Sequence, residues 1–571
     1  MSGNPLQVLV VGAGPTGLTV AHELLRRGVA VRLVDAAQGP AATSRALATH
    51  ARTLEVYDQM GVLPALLPQG RAVRKFSIHQ NGRRLAALHA DYSRLPTRFP
   101  MTVMVDQALT EKTLREAVRR LGGRIEWGVR LESLDQDAEG VTVRLRTADG
   151  GDETVRVPWL VGCDGGHSTV RKLLELRLVG DSTETWLIAD ARLDAELDDR
   201  SLHWLRNRDG ALMAVPFPEP GKWRLLDTVD AVYDGDPDAV ADRFSRKLSE
   251  AVGHPVTVHR PSWVSVFTIQ QRMITAMRKD RCLVAGDAAH VHSPASGQGM
   301  NTGIQDAYNL GWKLAAVARG EAPAALLDSY PAERLPVGAQ LLASTNRATA
   351  LIQLKSRLAA LALPLMFGVV GTVRPLSRKI SRKIMRAMSA LDLSYHDSPL
   401  TTPAAPGQEA AAGPAPGRRA AELTAADADD PGCAALLAEL RDPRCTLLVR
   451  ASRDGEPHGT VRELADSATT WLSVRAIAAT DTADRPAAGP VPLPDPDGTL
   501  SRRLGLTAPG AWLLVRPDGY VAARGPRMDG AALTAALTRA RGGRLPAPVE
   551  PVPGRPPTPV APGPDPQEHT P

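Results

Sequence analysis

The chain is short of cysteine, of aromatic residues, of long apolar runs and of charge of one sign. Four cysteines occur in 571 residues, Cys163, Cys282, Cys433 and Cys445, with no CxxC pair among them. That excludes a CxxC redox motif and fits a reducing compartment, where thiols serve as small buried hydrophobes. No stretch of 18 or more apolar residues exists, so no transmembrane helix is expected. The chain runs straight into an apolar strand with no charged and apolar leader before it, so a cytoplasmic protein is expected. The 68 Lys and Arg are interspersed with 62 Asp and Glu, for a net charge of +6. No basic stripe stands out, so nucleic acid is not an expected partner. Aromatics make up 4% of the chain, while Ala, Arg, Gly and Pro abound, which resembles the coding bias of a GC-rich genome. The length leaves room for roughly two to four domains with a large core.

What is present is organised around residues 8–35, VLVVGAGPTGLTVAHELLRRGVAVRLVD. Val8 to Val11 reads as a buried parallel strand. Gly12, Gly14 and Gly17 follow at GxGxxG spacing with Pro15 and Thr16 between them, and Leu18, Ala21, Leu24 and Leu25 recur at helical spacing. A second apolar run, Val29 to Val34, ends at Asp35, 21 residues after Gly14. Gly12 permits a tight turn, Gly14 lets a pyrophosphate approach the backbone, and Gly17 lets helix pack on strand. The helix N-terminus offers N–H groups to phosphates, and Asp35 can accept hydrogen bonds from a ribose. Arg45 lies in the following loop, either as a cation near that pyrophosphate or as a solvated loop residue.

Two further stretches repeat the strand-turn-helix theme. In PWLVGCDGGHSTVRKLL, residues 158–174, an apolar strand ends at Asp164 and Gly165, Ser168 is placed as an N-cap, and Arg171 follows. In RCLVAGDAAHVHSPASGQGMNTGIQDAYNLGWKLAAVARG, residues 281–320, a buried strand ends at Gly286 and Asp287. Pro294, Gly297 and Gly299 form a loop. A long amphipathic helix then starts near Asn301, with Ile304, Ala307, Leu310, Leu314 and Val317 on one face. Its start would point N–H groups at an anionic or electron-rich ligand. His290 and His292 form an HxH pair that lacks the further ligands a metal needs, so no metal is expected and the pair reads as loop histidines near a ligand. Between the motifs, residues 180–275 read as a mostly β layer with one helix, Ala239 to Ala251, and without a phosphate-cradling turn.

Taken in order, GAGPTG at 12–17, CDGGHSTVR at 163–171 and GDAAHVHSPASGQGMNTGIQDAYNLGWKL at 286–314 resemble the FAD-dependent aromatic hydroxylases. These are the single-component flavoprotein monooxygenases that include para-hydroxybenzoate hydroxylase and phenol hydroxylase. The likeness is greatest to the bacterial branch acting on polycyclic aromatic polyketides, and it covers roughly residues 5–400. The resemblance implies an α/β fold: a Rossmann-like, glutathione-reductase-type FAD domain with an interleaved β-rich substrate domain and a thioredoxin-like C-terminal domain. The implied division is FAD domain at 1–72, 106–179 and 276–398, substrate domain at 73–105 and 180–275, linker at 399–420, thioredoxin-like domain at 421–543 and a disordered Pro-rich tail at 544–571.

The resemblance also implies roles. Gly12, Gly14, Pro15, Thr16, Gly17 and Asp35 would hold the ADP half of FAD, with Arg45 nearby. Gln107, opening the helix through Leu121, would contact FAD. Asp164, Gly165 and Arg171 are associated with FAD and NAD(P)H together. Gly286 and Asp287 would sit on the ribityl chain, Gly299, Met300 and Asn301 on the pyrimidine side of the isoalloxazine, and Pro294 and Gly297 would be cofactor-binding residues of the loop before that helix. The implied reaction uses NADPH or NADH to reduce FAD, forms a flavin C4a-hydroperoxide with O2, and hydroxylates a phenolic small molecule. No catalytic side chain is identified; His79, His89, His203 and His292 are bare candidates for a phenol base.

The same motifs serve epoxidation, oxygen insertion beside a ketone and inactivation of aromatic antibiotics, and those readings stay open. A non-catalytic FAD-binding partner in a biosynthetic complex is a further reading. A halogenase is disfavoured, since no WxWxIP occurs. Residues 373–388 interleave Arg and Lys with apolar residues, which reads as a helix with a solvated basic face or as peripheral membrane contact, the former favoured. Cys433 and Cys445 stand 12 apart, so the C-terminal domain should be redox-silent, packing on the rest or mediating a homodimer.

Overall fold

A computed structural model describes residues 5–41, 46–89, 95–207, 210–292, 297–352, 386, 388–403, 412–451, 459–468, 470–479 and 491–543. Arg45, Pro294, the Pro-rich tail and nearly all of the basic 373–388 stretch lie outside them.

The first strand, Val8–Val11, is wholly apolar, and that fits its place. It lies inside a six-stranded sheet ordered Arg278–Lys279, Cys282–Val284, Trp159–Gly162, Val8–Val11, Val31–Asp35, Ile125–Trp127. All neighbours pair in parallel except the short Arg278–Lys279 edge. A parallel sheet is covered on both faces, so its strands carry apolar side chains without alternation. The strand ends that carry Gly12, Asp164 and Gly286 are therefore neighbours.

A second sheet forms the β layer. Its order is His290–Val291, Trp263–Met273, Val179–Asp194, Lys222–Asp227, Gly210–Pro216, Ser201–Asn207, Lys75–Gln80, Arg83–His89. One face packs Leu187, Leu205, Leu212 and Leu225 against Val240, Phe244 and Leu248 of the Pro237–Val252 helix. The other face looks toward Leu47, Ala51, Met104 and Leu391 of the first body. Ser201–Asn207 is a central strand that pairs in parallel with Lys75–Gln80. One expectation needs correction: residues Thr102–Met104, assigned with 73–105 to the substrate layer, do not join this sheet; they pair with Ala48–Thr49 and Arg71–Val73.

The helix expected to be amphipathic, Gly299–Ala318, is buried around its whole circumference from Asn301 to Ala316. The first helix, Pro15–Leu25, flanks it so closely that a Cβ on Gly311 would sit 2.5 Å from Glu23 Cβ. The C-terminal unit covers another side. That unit holds a five-stranded sheet ordered Val491–Pro494, Leu472–Ala478, Cys445–Arg450, Trp512–Val515, Val521–Gly525, parallel across the first three and antiparallel beyond.

Its turn Arg516-Pro517-Asp518-Gly519-Tyr520 inserts into the first body. Asp518 accepts from Trp312 Nε1 at 3.2 Å, Arg52 donates to the Asp518 carbonyl at 2.9 Å, and Tyr308 OH donates to the Pro517 carbonyl at 3.3 Å. The described ends of the 399–420 stretch are stitched into the same seam. Arg419 is 2% exposed; it pairs with Glu55 and donates to the carbonyls of Leu391 and Pro96.

Candidate functional site

Three loops meet over the ends of the parallel strands. Gly12 has φ +103, and a Cβ there would lie 2.4 Å from the Cys163 carbonyl oxygen. A Cβ on Gly17 would lie 1.9 Å from the Gly12 carbonyl oxygen. Both positions exclude any larger residue, because backbone cannot yield as a flexible side chain can. Gly14 differs: it caps the first helix in extended geometry, with Pro15 in the first turn, and nothing stands within 4 Å of its would-be Cβ. Gly165 (φ +75) in the second loop and Gly299 at the start of the long helix also face open space. Bare backbone at these points of three converging loops is what a dinucleotide needs for close approach.

The other anticipated residues hold these loops. Asp35 accepts from Ala13 N–H at 2.7 Å and from Ala37 N–H at 2.8 Å, which leaves a second lone pair on each oxygen. Asp164 caps the short Thr169–Leu173 helix, accepting from Ser168 Oγ at 2.5 Å and from the Thr169 N–H at 2.6 Å; Ser168 is its N-cap, as its sequence position suggests. Arg171 is buried and donates to the carbonyls of Gly166 and Ala288, so it ties the second loop to the third. Thr16 is a wedge: its Oγ1 would be 2.5 Å from a Cβ on either Gly286 or Gly303. Asp287 is exposed on the third loop.

Asn301 opens the long helix, accepts from the His50 N–H at 2.9 Å, and donates to the carbonyls of Ala48 and Gly297. Gly297 has φ +62 and abuts Ala48, while Met300 packs half-buried on the core. Gln107 holds the backbone after the Arg45 loop, accepting from the Ala46 N–H at 3.0 Å.

Two residues that the motifs did not single out lie beneath the third loop. Asp306 is fully buried on the long helix, and Arg334 is fully buried on the Ser329–Ile352 helix. Asp306 accepts from the Gly286 N–H at 3.1 Å, from His290 Nε2 at 2.6 Å and from Arg334 Nε at 2.6 Å. Arg334 and His290 outweigh the burial penalty and hold the Asp306 carboxyl down to about 2. The HxH pair was the available signal, since two histidines two residues apart on a short strand need partners. His290 Nδ1 meets His292 Nε2 at 2.8 Å. Of the other histidines considered, His203 contacts His79 at 3.2 Å, and its strand register puts it with Ala214 on the helix-covered face of the β layer. The His89 side chain lies outside what is described.

Among the described residues no group of three or more His, Cys, Asp or Glu could hold a metal ion, and no helix is long and apolar enough to cross a membrane. An open groove of about 960 Å³ lies between the Gly530–Ala540 helix and Asp328, Ser329 and Leu400; none of the three loops lines it.

Fold and site define a flavoprotein class, and comparison with known proteins names it. A family model described as FAD binding domain matches residues 5–345. The chain belongs to this family and is an FAD-dependent monooxygenase with NADH or NADPH as reductant. It is 51% identical over 531 residues, 93% of each chain, to the 6-methylpretetramide 4-monooxygenase of Streptomyces rimosus. The 12-dehydrotetracycline 5-monooxygenase/anhydrotetracycline 6-monooxygenase of Streptomyces rimosus subsp. rimosus is 35% identical over 526 residues, covering 90% of this chain and 94% of that one. Among solved structures, OxyS anhydrotetracycline hydroxylase from Streptomyces rimosus superposes with a TM-score of 0.69 at 30% identity, covering 95% of this chain and 99% of that one.

Proposed function

We propose that this monooxygenase hydroxylates a phenolic, polycyclic aromatic molecule of the polyketide type. The observation that carries this is the inner face of the β layer. Strand register aligns Ile78, Trp204, Met213, Leu226, Ile188 and Ser265 in one row across six strands. Trp186 lies in the next row with Phe267 edge-on, their ring centroids 6.3 Å apart. Trp204 and Phe267 are half-buried, so they offer flat apolar surface on the side facing the flavoprotein body. Such a surface suits fused aromatic rings, which gain burial and stacking there. The tetracycline-type substrates named for two relatives agree with it.

In this reading Gly12, Gly14, Pro15, Thr16, Gly17 and Asp35 receive the ADP half of FAD, and Gln107 and Asp164 with Gly165 and Arg171 keep the surrounding loops in register. Gly286 and Asp287 take the ribityl chain, and Gly297, Gly299, Met300 and Asn301 receive the pyrimidine edge. Arg45, from the stretch after Asp35, and Pro294, from the third motif, belong to the same set. Bound FAD supplies the redox chemistry with NAD(P)H and O2. The long helix aims its N-terminus at that edge, where fixed backbone dipoles stabilise negative charge without reorganising. The β face orients the substrate and excludes water.

The domain division follows the same reading, with residues 421–543 as a thioredoxin-like unit. Its parallel-then-antiparallel sheet supports this, and its role is packing, with a homodimer contact as a further use. Burial pushes the Cys433 and Cys445 thiols up to about 12 and about 11, which suits a redox-silent unit. The test is NADPH oxidation by the FAD-loaded protein with and without phenolic naphthoquinones, anthracyclinones and simple phenols, with peroxide assayed alongside. Strong stimulation with little peroxide by a fused-ring phenol supports the assignment. Stimulation by none of them overturns it.

A further inference from the structure

The hydrogen bonds beneath the third loop run in a chain toward His292. Asp306 is ionised beside Arg334 and accepts from His290 Nε2. His290 Nδ1 meets His292 Nε2 at 2.8 Å, and the two rings stack at 4.8 Å. His292 Nδ1, at the far end of the chain, is buried and has no hydrogen-bond partner among the described residues. A buried polar nitrogen without a partner is costly, and a bound molecule that pairs with it removes that cost.

His292 stands at a junction. It follows the His290–Val291 strand, the edge of the β layer that pairs with Arg272 and Met273, and in sequence it stands five residues before Gly297 and seven before Gly299. It therefore belongs at once to the substrate sheet and to the approach to the flavin end of the site. We propose that His292, holding its hydrogen on Nε2 toward His290, uses Nδ1 as the proton acceptor for the phenolic hydroxyl of the substrate, with His290, Asp306 and Arg334 as positioning residues. The proposal rests on the phenolic reading above. In the step, the phenol O–H bond breaks and an Nδ1–H bond forms. The electron pair stays on oxygen as phenolate and enriches the ortho and para carbons that an electrophilic oxygen attacks. The imidazolium is stabilised by Asp306 through His290, the base-and-orienter logic of histidine catalysis.

The charged and titratable groups around it are His290 on its own strand, Asp306 on the long helix and Arg334 on the next helix. Arg272 lies opposite Val291, and Arg171 reaches in to Ala288. Burial holds His292 well below the usual imidazole range, so the free site presents a neutral ring. The phenolate formed beside it supplies the counter-charge that raises its basicity in the complex.

The experiment uses the full-length, FAD-loaded enzyme without NADPH and the panel phenol that most stimulates turnover. The absorbance of bound phenol and phenolate is titrated with pH in the wild type, His292→Gln and His292→Asn. Gln keeps an N–H toward His290 and loses the ring acceptor; Asn loses the link to His290. Both variants should need a pH about one higher to ionise the bound phenol, a tenfold loss of phenolate at fixed pH. Single-turnover hydroxylation should fall about 10²-fold or more, with FAD affinity within about twofold of wild type. Unchanged phenol ionisation in His292→Gln overturns the proposal. So does a weakened FAD affinity with unchanged phenol ionisation, which would assign the nitrogen to the cofactor. If no phenol binds, the substrate class and this proposal fall together; if phenol binds and ionises as in wild type, only this proposal falls.

Discussion

Arg516 and Glu333 face each other in two hydrogen bonds, Nη1 to Oε1 at 2.6 Å and Nη2 to Oε2 at 2.9 Å, with both side chains about 1% exposed. One belongs to the C-terminal turn and the other to the Ser329–Ile352 helix. Lys313 and Asn309 of the long helix bond the same Glu333 carboxylate at 2.8 and 2.6 Å. The C-terminal unit is thus bolted through buried charge to the helix that opens with Gly299, Met300 and Asn301. Arg516→Met should cost about 3–5 kcal/mol, since it leaves Glu333 and Asp518 buried with too few cations. Urea unfolding of the FAD-loaded protein checks this, and a loss under about 1 kcal/mol would show the pair to be dispensable.

The two kinds of glycine in the first loop should separate stability from affinity. Gly17→Ala drives a methyl into the Gly12 carbonyl and should not yield folded protein. Gly14→Ala has room within the fold and should keep the melting temperature within about 4 °C, while weakening FAD at least about tenfold. Fluorescence titration of apoprotein with FAD decides it; unaltered affinity in Gly14→Ala would remove that backbone from the cofactor site.

Asp306 predicts an acid limb of stability. Its folded carboxyl lies near 2, below the ordinary carboxylate value, so between about 4 and about 2 the unfolded chain binds more protons than the native one. The stabilisation is complete above that window and lost as pH falls through it, about 2 kcal/mol in all. Asp306→Asn should be less stable at neutral pH and lose less over the same window. Chemical unfolding at pH 2.5, 3.5 and 5 measures the slope, and identical slopes for both proteins would contradict the assignment.

The β face should govern substrate and not cofactor. Trp204→Ala should raise KM for a fused-ring phenol about tenfold or more, through lost stacking and apolar contact, with FAD affinity unchanged. Trp186→Ala, at a fully buried position, should instead cost about 3–5 kcal/mol of stability. Steady-state kinetics on both variants, with melting curves alongside, distinguish the roles.

Burial makes the C-terminal thiols inert. Full-length protein should catalyse no reduction of insulin by dithiothreitol, and Cys433 and Cys445 should resist a thiol reagent at pH 8 until the chain is unfolded. Rapid labelling of either thiol in the native state would reopen the question of redox function.

Much of this was legible because local sequence and long-range position agree at the three motifs. A glycine turn after an apolar strand carries its own geometry, so Gly12, Gly17, Asp164 and Ser168 could be placed from spacing alone. Ser201–Asn207 was not legible, because its strand character comes from neighbours at Lys75–Gln80 and Gly210–Pro216 and not from alternation. Asp306 and Arg334 were hidden for a similar reason. A charge inside a helix reads as solvent-facing until a partner 28 residues away and a histidine from another loop are seen to enclose it. The polar half of the long helix was misread as a surface for the same cause, since its cover comes from residues some 200 positions downstream.

The seam formed by the Arg516–Tyr520 turn bears on how such enzymes can be recombined. A C-terminal unit that completes another unit's interior is not a cassette. Grafting it onto a different oxygenase, or deleting it to make a smaller catalyst, would transplant or strip half of a buried charge set. Any chimaera would therefore have to exchange Asn309, Lys313 and Glu333 together with Arg516 and Asp518, as a single heritable block.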